Sequence, residues 1–151
     1  MTQDEFARIE AHMLGLMDDC AHDPMHIYRV LYLALEIAAT EEGVDIDILI
    51  AACLLHDIGR EAQNRDLELD HAEIGGEMAH AFLLSIGWDG ERANRVRGCV
   101  KAHRYRKGEA PRSIEARILF DSDKLDVTGA IGMARTLIYG GQVTEPLYVL
   151  D

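Results

Sequence analysis

A histidine and an aspartate stand side by side at positions 56 and 57, at the end of an apolar stretch that begins at Ile46. Such a stretch predicts a buried helix, and burying an imidazole and a carboxylate is costly unless a partner compensates them. A divalent metal ion is such a partner. His26 lies thirty positions before His56, and Asp123 lies sixty-six positions after Asp57. These four residues form a candidate set of metal ligands.

Two imidazoles and two carboxylates would give an ion mixed nitrogen and oxygen ligands. Imidazole is typical of Zn, Fe, Ni and Co sites, and carboxylate of Mg and Mn sites. The mixture therefore favours Mn, Fe, Ni, Co or Zn, with Mg also a candidate. Four protein ligands close a tetrahedral zinc site but leave positions open on a six-coordinate ion. Open positions favour catalysis, because a bound divalent ion acidifies water.

Helical periodicity with recurrent cap and stop signals predicts the elements that position these residues. Predicted helices cover about residues 3–18, 24–42, 45–57, 70–86 and 89–104, and two more follow Ser113, the last over 127–139. Their predicted N-caps are Thr2, Asp23, Asp45, Asp70, Asp89 and Ser113, with capping boxes at Thr2-x-x-Glu5 and Asp70-x-x-Glu73. Residues 60–69 are predicted to be a loop and 142–151 an irregular tail. The expected fold is all-α, a compact bundle of six to seven helices in one domain spanning 1–151.

Composition narrows the classes of function. The chain has 151 residues, of which 48% are hydrophobic, so it can bury a core. A net charge of −12 argues against a broad nucleic-acid surface, which needs many lysines and arginines. No apolar run approaches the roughly 20 residues of a membrane span, and no signal peptide is recognisable. Cys20, Cys53 and Cys99 form no CxxC pair and are expected to be reduced thiols. We therefore expect a cytoplasmic protein without nucleic-acid or membrane partners.

Four stretches resemble the HD-domain metal-dependent phosphohydrolases, in particular the small bacterial stand-alone HD hydrolases. They are Asp23 to Val30, Leu54 to Gly59, Asp121 to Asp126 and Gly129 to Arg135. The resemblance covers about residues 20–138 and implies the HD-domain fold. It also implies that His26, His56, Asp57 and Asp123 are the metal ligands, in that order along the chain.

The resemblance implies hydrolysis of a phosphate ester or anhydride of a small molecule by metal-activated water, with a nucleotide as the expected substrate class. Asp57 is expected to accept the proton of the water. Lys124 is expected to stabilise the developing charge, and Arg29 and Arg104 are candidate phosphate contacts.

His71 and His103 have two interpretations. Two-metal enzymes of the resembling superfamily carry extra histidines in similar places, with the HD aspartate between the ions. His71 and His103 would then hold a second ion. Alternatively, both line the pocket and hold a phosphate or a water. We favour pocket lining with one ion.

Asp126 follows Asp123 by three residues, so the two share a helix face. Asp126 is therefore a candidate to orient a ligating histidine. Two other functions stay open: a metal-binding sensor or regulatory HD module with little turnover, and a structural bundle with buried polar residues. A homodimer is a further hypothesis, because the related hydrolases often continue for several helices beyond the region of Arg135.

Overall fold

A computed structural model describes residues 1–16, 24–104, 110–142, 144 and 146. Over these ranges the chain forms helices and no strand, which confirms the all-α fold. The helices are α1 (Gln3–Leu14), α2 (Pro24–Ala38), α3 (Ile46–Leu55), α4 (Arg60–Arg65), α5 (His71–Ser85), α6 (Gly90–Ala102), α7 (Ile114–Leu125) and α8 (Gly129–Gln142). The predicted cap at Asp23, Cys20 and most of the predicted tail 142–151 lie outside the described residues.

Polar caps fix where the helices begin. The capping box of α1 is complete, because the Thr2 hydroxyl accepts from the Glu5 N–H and the Glu5 carboxylate accepts from the Thr2 N–H. The side chains of Asp45, Asp70, Asp89 and Ser113 also accept from first-turn N–H groups of their helices. The second predicted capping box is wrong in one half: Asp70 caps α5, but Glu73 pairs with Lys101 of α6 at 2.8 Å.

The predicted loop over 60–69 contains a helix that the sequence did not reveal. This helix, α4, buries none of its six residues, so it has no apolar stripe and no periodicity to detect. Polar contacts hold it instead. Arg65 pairs with Glu61 one turn earlier, and the Gln63 amide donates to the Leu69 carbonyl at 2.8 Å.

Two helices end about four residues earlier than predicted. Helix α1 ends at Leu14 rather than near residue 18. Helix α2 ends at Ala38 rather than near residue 42, and the Thr40 hydroxyl then donates to the Ile37 carbonyl at 2.8 Å. Such a contact satisfies a carbonyl that the end of a helix leaves without a partner.

Helix α3 is the centre of the bundle. It contacts α1, α2, α6 and α7, and seven of its ten residues are buried. Each fully buried large aliphatic side chain contributes about 1.5–3 kcal/mol to folding. Because α3 runs through the core, the residues that follow its last turn, His56 and Asp57, are delivered into the interior.

The last helix has a different character. Its apolar residues Ile131, Met133, Leu137, Ile138 and Tyr139 are between 46% and 65% exposed. A cavity of about 430 Å³ lies where α8 meets α2 and the end of α7.

Among the described helices, none has the length and apolarity needed to cross a membrane.

A close backbone contact joins the turn after α3 to α5. A Cβ atom at Gly59 would lie 2.2 Å from the His71 carbonyl oxygen and 2.8 Å from the Gly75 nitrogen. Both distances are far below van der Waals contact, and both neighbours are backbone atoms that cannot rotate away. Glycine at position 59 therefore allows the start of α5, with His71, to lie against His56 and Asp57.

Replacing Gly59 by alanine should separate these two segments. We expect the G59A variant to lose about 1–3 kcal/mol of unfolding free energy through overpacking, measured by urea denaturation. Gly98→Ala is the matched control, because a Cβ atom there meets nothing within 4 Å. G98A sits in helix α6 and should be stabilised by up to about 1 kcal/mol. Equal stability of the two variants would show that the contact at Gly59 is unimportant.

Candidate metal centre

Six side chains from five helices or their ends meet inside the bundle. They are His26, His56, Asp57, His71, His103 and Asp123, which we call the histidine–aspartate cluster. The four histidines and Asp57 are at most 1% exposed, and the Asp123 side chain is 14% exposed. The structure thus brings together all four predicted ligands and also His71 and His103.

Each histidine of the cluster is oriented by a hydrogen bond from its Nδ1 atom. His56 and His103 occupy C-cap positions of α3 and α6, and each donates to a carbonyl three residues earlier. The four acceptors are Cys53 O for His56 (2.8 Å), Val100 O for His103 (2.5 Å), Asp126 Oδ2 for His26 (2.8 Å) and Gln63 Oε1 for His71 (2.7 Å). Because Nδ1 is the donor in each of these bonds, the neutral form of each ring presents an Nε2 lone pair to the cluster.

These lone pairs face each other at short range. The Nε2 atoms of His26 and His56 are 3.4 Å apart, and those of His71 and His103 are 3.3 Å apart. Two lone pairs repel at that distance unless a cation lies between them. In addition, Asp57 Oδ2 is buried and has no hydrogen-bond partner, which is costly for a carboxylate oxygen. A divalent ion would relieve both problems, so these donors fit a metal.

Asp57 lies between the two pairs of histidines. Its Oδ2 is 3.7 Å from Nε2 of both His26 and His56. Its Oδ1 is 3.5 Å from Nε2 of both His71 and His103. One carboxylate thus turns one oxygen towards each pair.

The cluster divides into two halves on this geometry. The first half contains His26, His56 and Asp123, with Asp123 Oδ1 3.5 Å from His26 Nε2. The second half contains His71, His103 and Asp57. In each half the potential ligand atoms lie within 4.8 Å of one another.

Burial sets the protonation states that metal binding needs. It lowers the pKa of His56 to about 4 and that of His71 to about 2. Burial alone would raise the pKa of Asp57, but the charge of His56 in its protonated form and that of Arg60 outweigh it and hold that pKa well below the usual value. Near neutral pH these imidazoles are neutral and Asp57 is ionised, the forms that bind a metal.

The predicted cations lie around the cluster but bond to protein groups. The Lys124 ammonium donates to Asp123 Oδ2 at 2.6 Å and to the His103 carbonyl at 3.4 Å. Arg104 pairs with Asp70 at 3.3 Å.

Asp126 collects three donors on one carboxylate. Besides His26 Nδ1 at 2.8 Å, it accepts from Arg29 at 2.7 and 3.1 Å and from Arg135 at 2.5 Å. Burial would raise the pKa of Asp126, but the bonds from His26 and Arg29 lower it strongly. Arg29, predicted as a phosphate contact, therefore contacts the carboxylate that orients His26.

Three residues that contact the cluster or its orienting groups were not predicted from the sequence: Arg60, Gln63 and Arg135. The Arg60 Nε atom donates to Asp57 Oδ1 at 3.0 Å. Arg60 follows the His-Asp-x-Gly segment directly and Arg135 closes the last resembling stretch, so both had a positional signal. Gln63 had none, because the polar pattern of its segment predicts a loop.

The model of the HD domain family matches residues 25–128, a range that contains the whole histidine–aspartate cluster. The chain belongs to the HD-domain family. A predicted HD superfamily hydrolase from an uncultured Thermotogales bacterium is 36% identical, with a TM-score of 0.72, and the match covers 91% of this chain and 75% of that one. HD membership supports divalent metal binding and metal-dependent phosphohydrolase chemistry in general.

Two further relatives carry names. YpgQ of Bacillus subtilis (strain 168) is 30% identical over 136 residues, or 87% of this chain and 63% of YpgQ. The crystal structure of YpgQ in complex with ADP has a TM-score of 0.74 and 29% identity, over 98% of this chain and 71% of that one. Ribonuclease Y of Clostridium perfringens (strain SM101 / Type A) is 28% identical, over 75% of this chain and 30% of the enzyme. By these sequence matches, the chain spans less than two thirds of the length of either relative.

The lowered histidine pKa values predict acid sensitivity of the metal-free protein. Unfolded histidines titrate near pH 6.5, whereas His56 and His71 stay neutral in the fold until about pH 4 or below. Below about pH 6.5 the unfolded state therefore binds more protons, and the free energy of unfolding should fall as the pH drops from 6.5 towards 4. Urea denaturation of chelator-treated protein at several pH values measures this, and H71Q should show a shallower dependence. A stability independent of pH over this range would contradict the buried neutral state.

Asp126→Asn should weaken metal binding although Asp126 lies outside the cluster. The amide removes the charge that holds His26 Nδ1–H, and the loss of such an orienting partner typically costs about 10- to 100-fold in metal affinity. Titration calorimetry with Mn²⁺ measures it. Asp121→Asn is the control, because Asp121 is exposed on the same helix. Equal affinity of the D126N and D121N variants would show that Asp126 does not position His26.

Proposed function

We propose that this HD protein is a metal-dependent phosphohydrolase that cleaves a phosphate ester or anhydride of a small molecule, with nucleotides as the substrate class. The observation that carries the proposal is the buried Asp57 carboxylate, whose Oδ2 has no partner while both oxygens face pairs of histidine nitrogens. Bound cations would take the unpaired oxygen and the facing histidine nitrogens as ligands. Family membership supports the hydrolytic chemistry in general.

Two ions suit the cluster better than the single ion favoured from the sequence. His26, His56, Asp123 and Asp57 Oδ2 would hold the first, and His71, His103 and Asp57 Oδ1 the second. The mixed nitrogen and oxygen donors favour Mn, Fe, Ni, Co or Zn, with Mg also a candidate. When bound, such ions polarise phosphoryl oxygens and bring the pKa of water near 7.

The residues around the ions have two roles, orienting the ligands and stabilising charge, and Lys124 has both. Lys124 orients Asp123 through its 2.6 Å contact, and Arg29 acts on His26 through Asp126. The side chains of Lys124, Arg60 and Arg104 are 48%, 26% and 22% exposed. We infer that this partial exposure lets them meet phosphate oxygens, where fixed cations stabilise developing negative charge.

Charge and a relative's ligand both favour a small phosphorylated substrate. The net charge of −12 opposes a long polyanion, whereas bound ions reverse the field locally. The relative YpgQ crystallises in complex with ADP. A nucleotide is therefore the first class to screen. The homodimer considered from the sequence stays a prediction.

Asp57→Asn should abolish hydrolysis. The amide keeps the shape but removes the charge shared by both halves of the cluster, and metal catalysis worth several kcal/mol corresponds to on the order of 10³-fold in rate. Release of phosphate and pyrophosphate from a panel of nucleotides with Mn²⁺ measures the loss. Asp66→Asn is the control, because Asp66 is exposed at the end of α4.

Two outcomes would decide against the proposal. Turnover by the D57N variant at the wild-type rate would remove Asp57 from the reaction. Stoichiometric metal binding by the wild-type protein without release from any nucleotide or simple phosphate ester would favour the sensor or regulatory module instead.

A further inference from the structure

The two oxygens of Asp57 are in different situations. Oδ2, which faces His26 and His56, is buried and accepts no hydrogen bond. Oδ1, which faces His71 and His103, accepts from the Arg60 Nε atom at 3.0 Å. A cation therefore already occupies one side of this carboxylate.

The halves of the cluster also differ in charge. The first half has two carboxylates within reach, Asp123 and Asp57 Oδ2. Among the residues that the structure describes, Asp57 Oδ1 is the one carboxylate oxygen in the second half, and it is shared with a guanidinium. An ion bound in the second half would compete for a lone pair of Oδ1 and would lie near a fixed positive charge, since arginine stays protonated.

The position of Arg60 follows from the local chain. Arg60 is the first residue of α4 and lies one turn after Asp57. Gly59 brings the same turn against the start of α5, where His71 stands. The guanidinium is thereby held at the second half of the cluster and not at the first.

We propose that Arg60 makes the two metal positions unequal: the first half binds an ion tightly, and Arg60 weakens binding in the second half so that this position fills only at higher metal concentration. The proposal rests on the proposed function, because it needs a two-ion cluster. It gives Arg60 the role of a tuning residue, which sets the metal concentration at which the protein passes from a one-ion to a two-ion form.

Calorimetric titration of chelator-treated protein with Mn²⁺ tests this directly. The wild-type protein should bind in two resolved steps. In Arg60→Gln, which keeps an amide donor but removes the charge, the second step should tighten by about 10- to 100-fold, the usual scale for groups around a metal, while the first step stays as it was. Electron paramagnetic resonance at a free Mn²⁺ concentration that fills only the first position of the wild-type protein should show isolated ions in the wild type and coupled pairs in R60Q.

Two further variants separate the charge of Arg60 from its place on the helix. Arg65→Gln makes the same change on the same helix at a residue that pairs with Glu61 and is 76% exposed, and both steps should stay at wild-type affinity. Arg60→Lys keeps the positive charge and should keep the second step weak.

The outcomes separate this inference from the proposed function. Three results would overturn the role of Arg60: an unchanged second step in R60Q, a weakening of both steps, or a single step in both proteins. In each case the first binding step would still be observed, and the metal centre of the proposed function would stand. Absence of any binding step in the wild type would overturn both.

Discussion

Asp57 is a fully buried carboxylate with a histidine pair on each side. The rest of the structure positions the groups that offset the free-energy cost of burying this charge. Helix α3 must run through the core to bring Asp57 inside, and α2, α5, α6 and α7 must converge on its end. An isolated buried charge would be protonated or expelled. Here burial would raise the pKa of the Asp57 carboxyl, but the protonated form of His56 and the Arg60 guanidinium oppose its protonation and hold that pKa well below the usual value. The interior therefore holds negative charge and unprotonated nitrogens at the same place.

The histidines are oriented in two different ways. His56 and His103 use the ends of their own helices, where the carbonyl three residues earlier accepts from Nδ1. His26 and His71 depend on side chains from elsewhere, Asp126 and Gln63. Two ligands are thus set by local structure, and the other two by the tertiary packing of α7 and α4.

The features that could be predicted from the sequence are those that local patterns determine. Apolar periodicity and caps placed the seven longer helices, and the His-Asp pair at the end of α3 led to the four ligands through the family resemblance. The tertiary contacts could not be predicted from the sequence. Nothing in the spacing of His71 and His103 shows that they meet beside Asp57, and a polar helix such as α4 leaves no periodic signal. The roles of Arg60 and Gln63 depend on that helix, so they were missed together.

The contact at Gly59 has a consequence for protein design. A His-Asp pair can be written onto the end of any helix, but the second pair of ligands arrives only if another backbone can approach to a distance that forbids a Cβ atom. The transferable unit is therefore not the dipeptide. It is the turn after α3 together with the first two turns of α5, with glycines at 59 and 75 facing each other. Grafting less than that would leave out the second pair of histidine ligands.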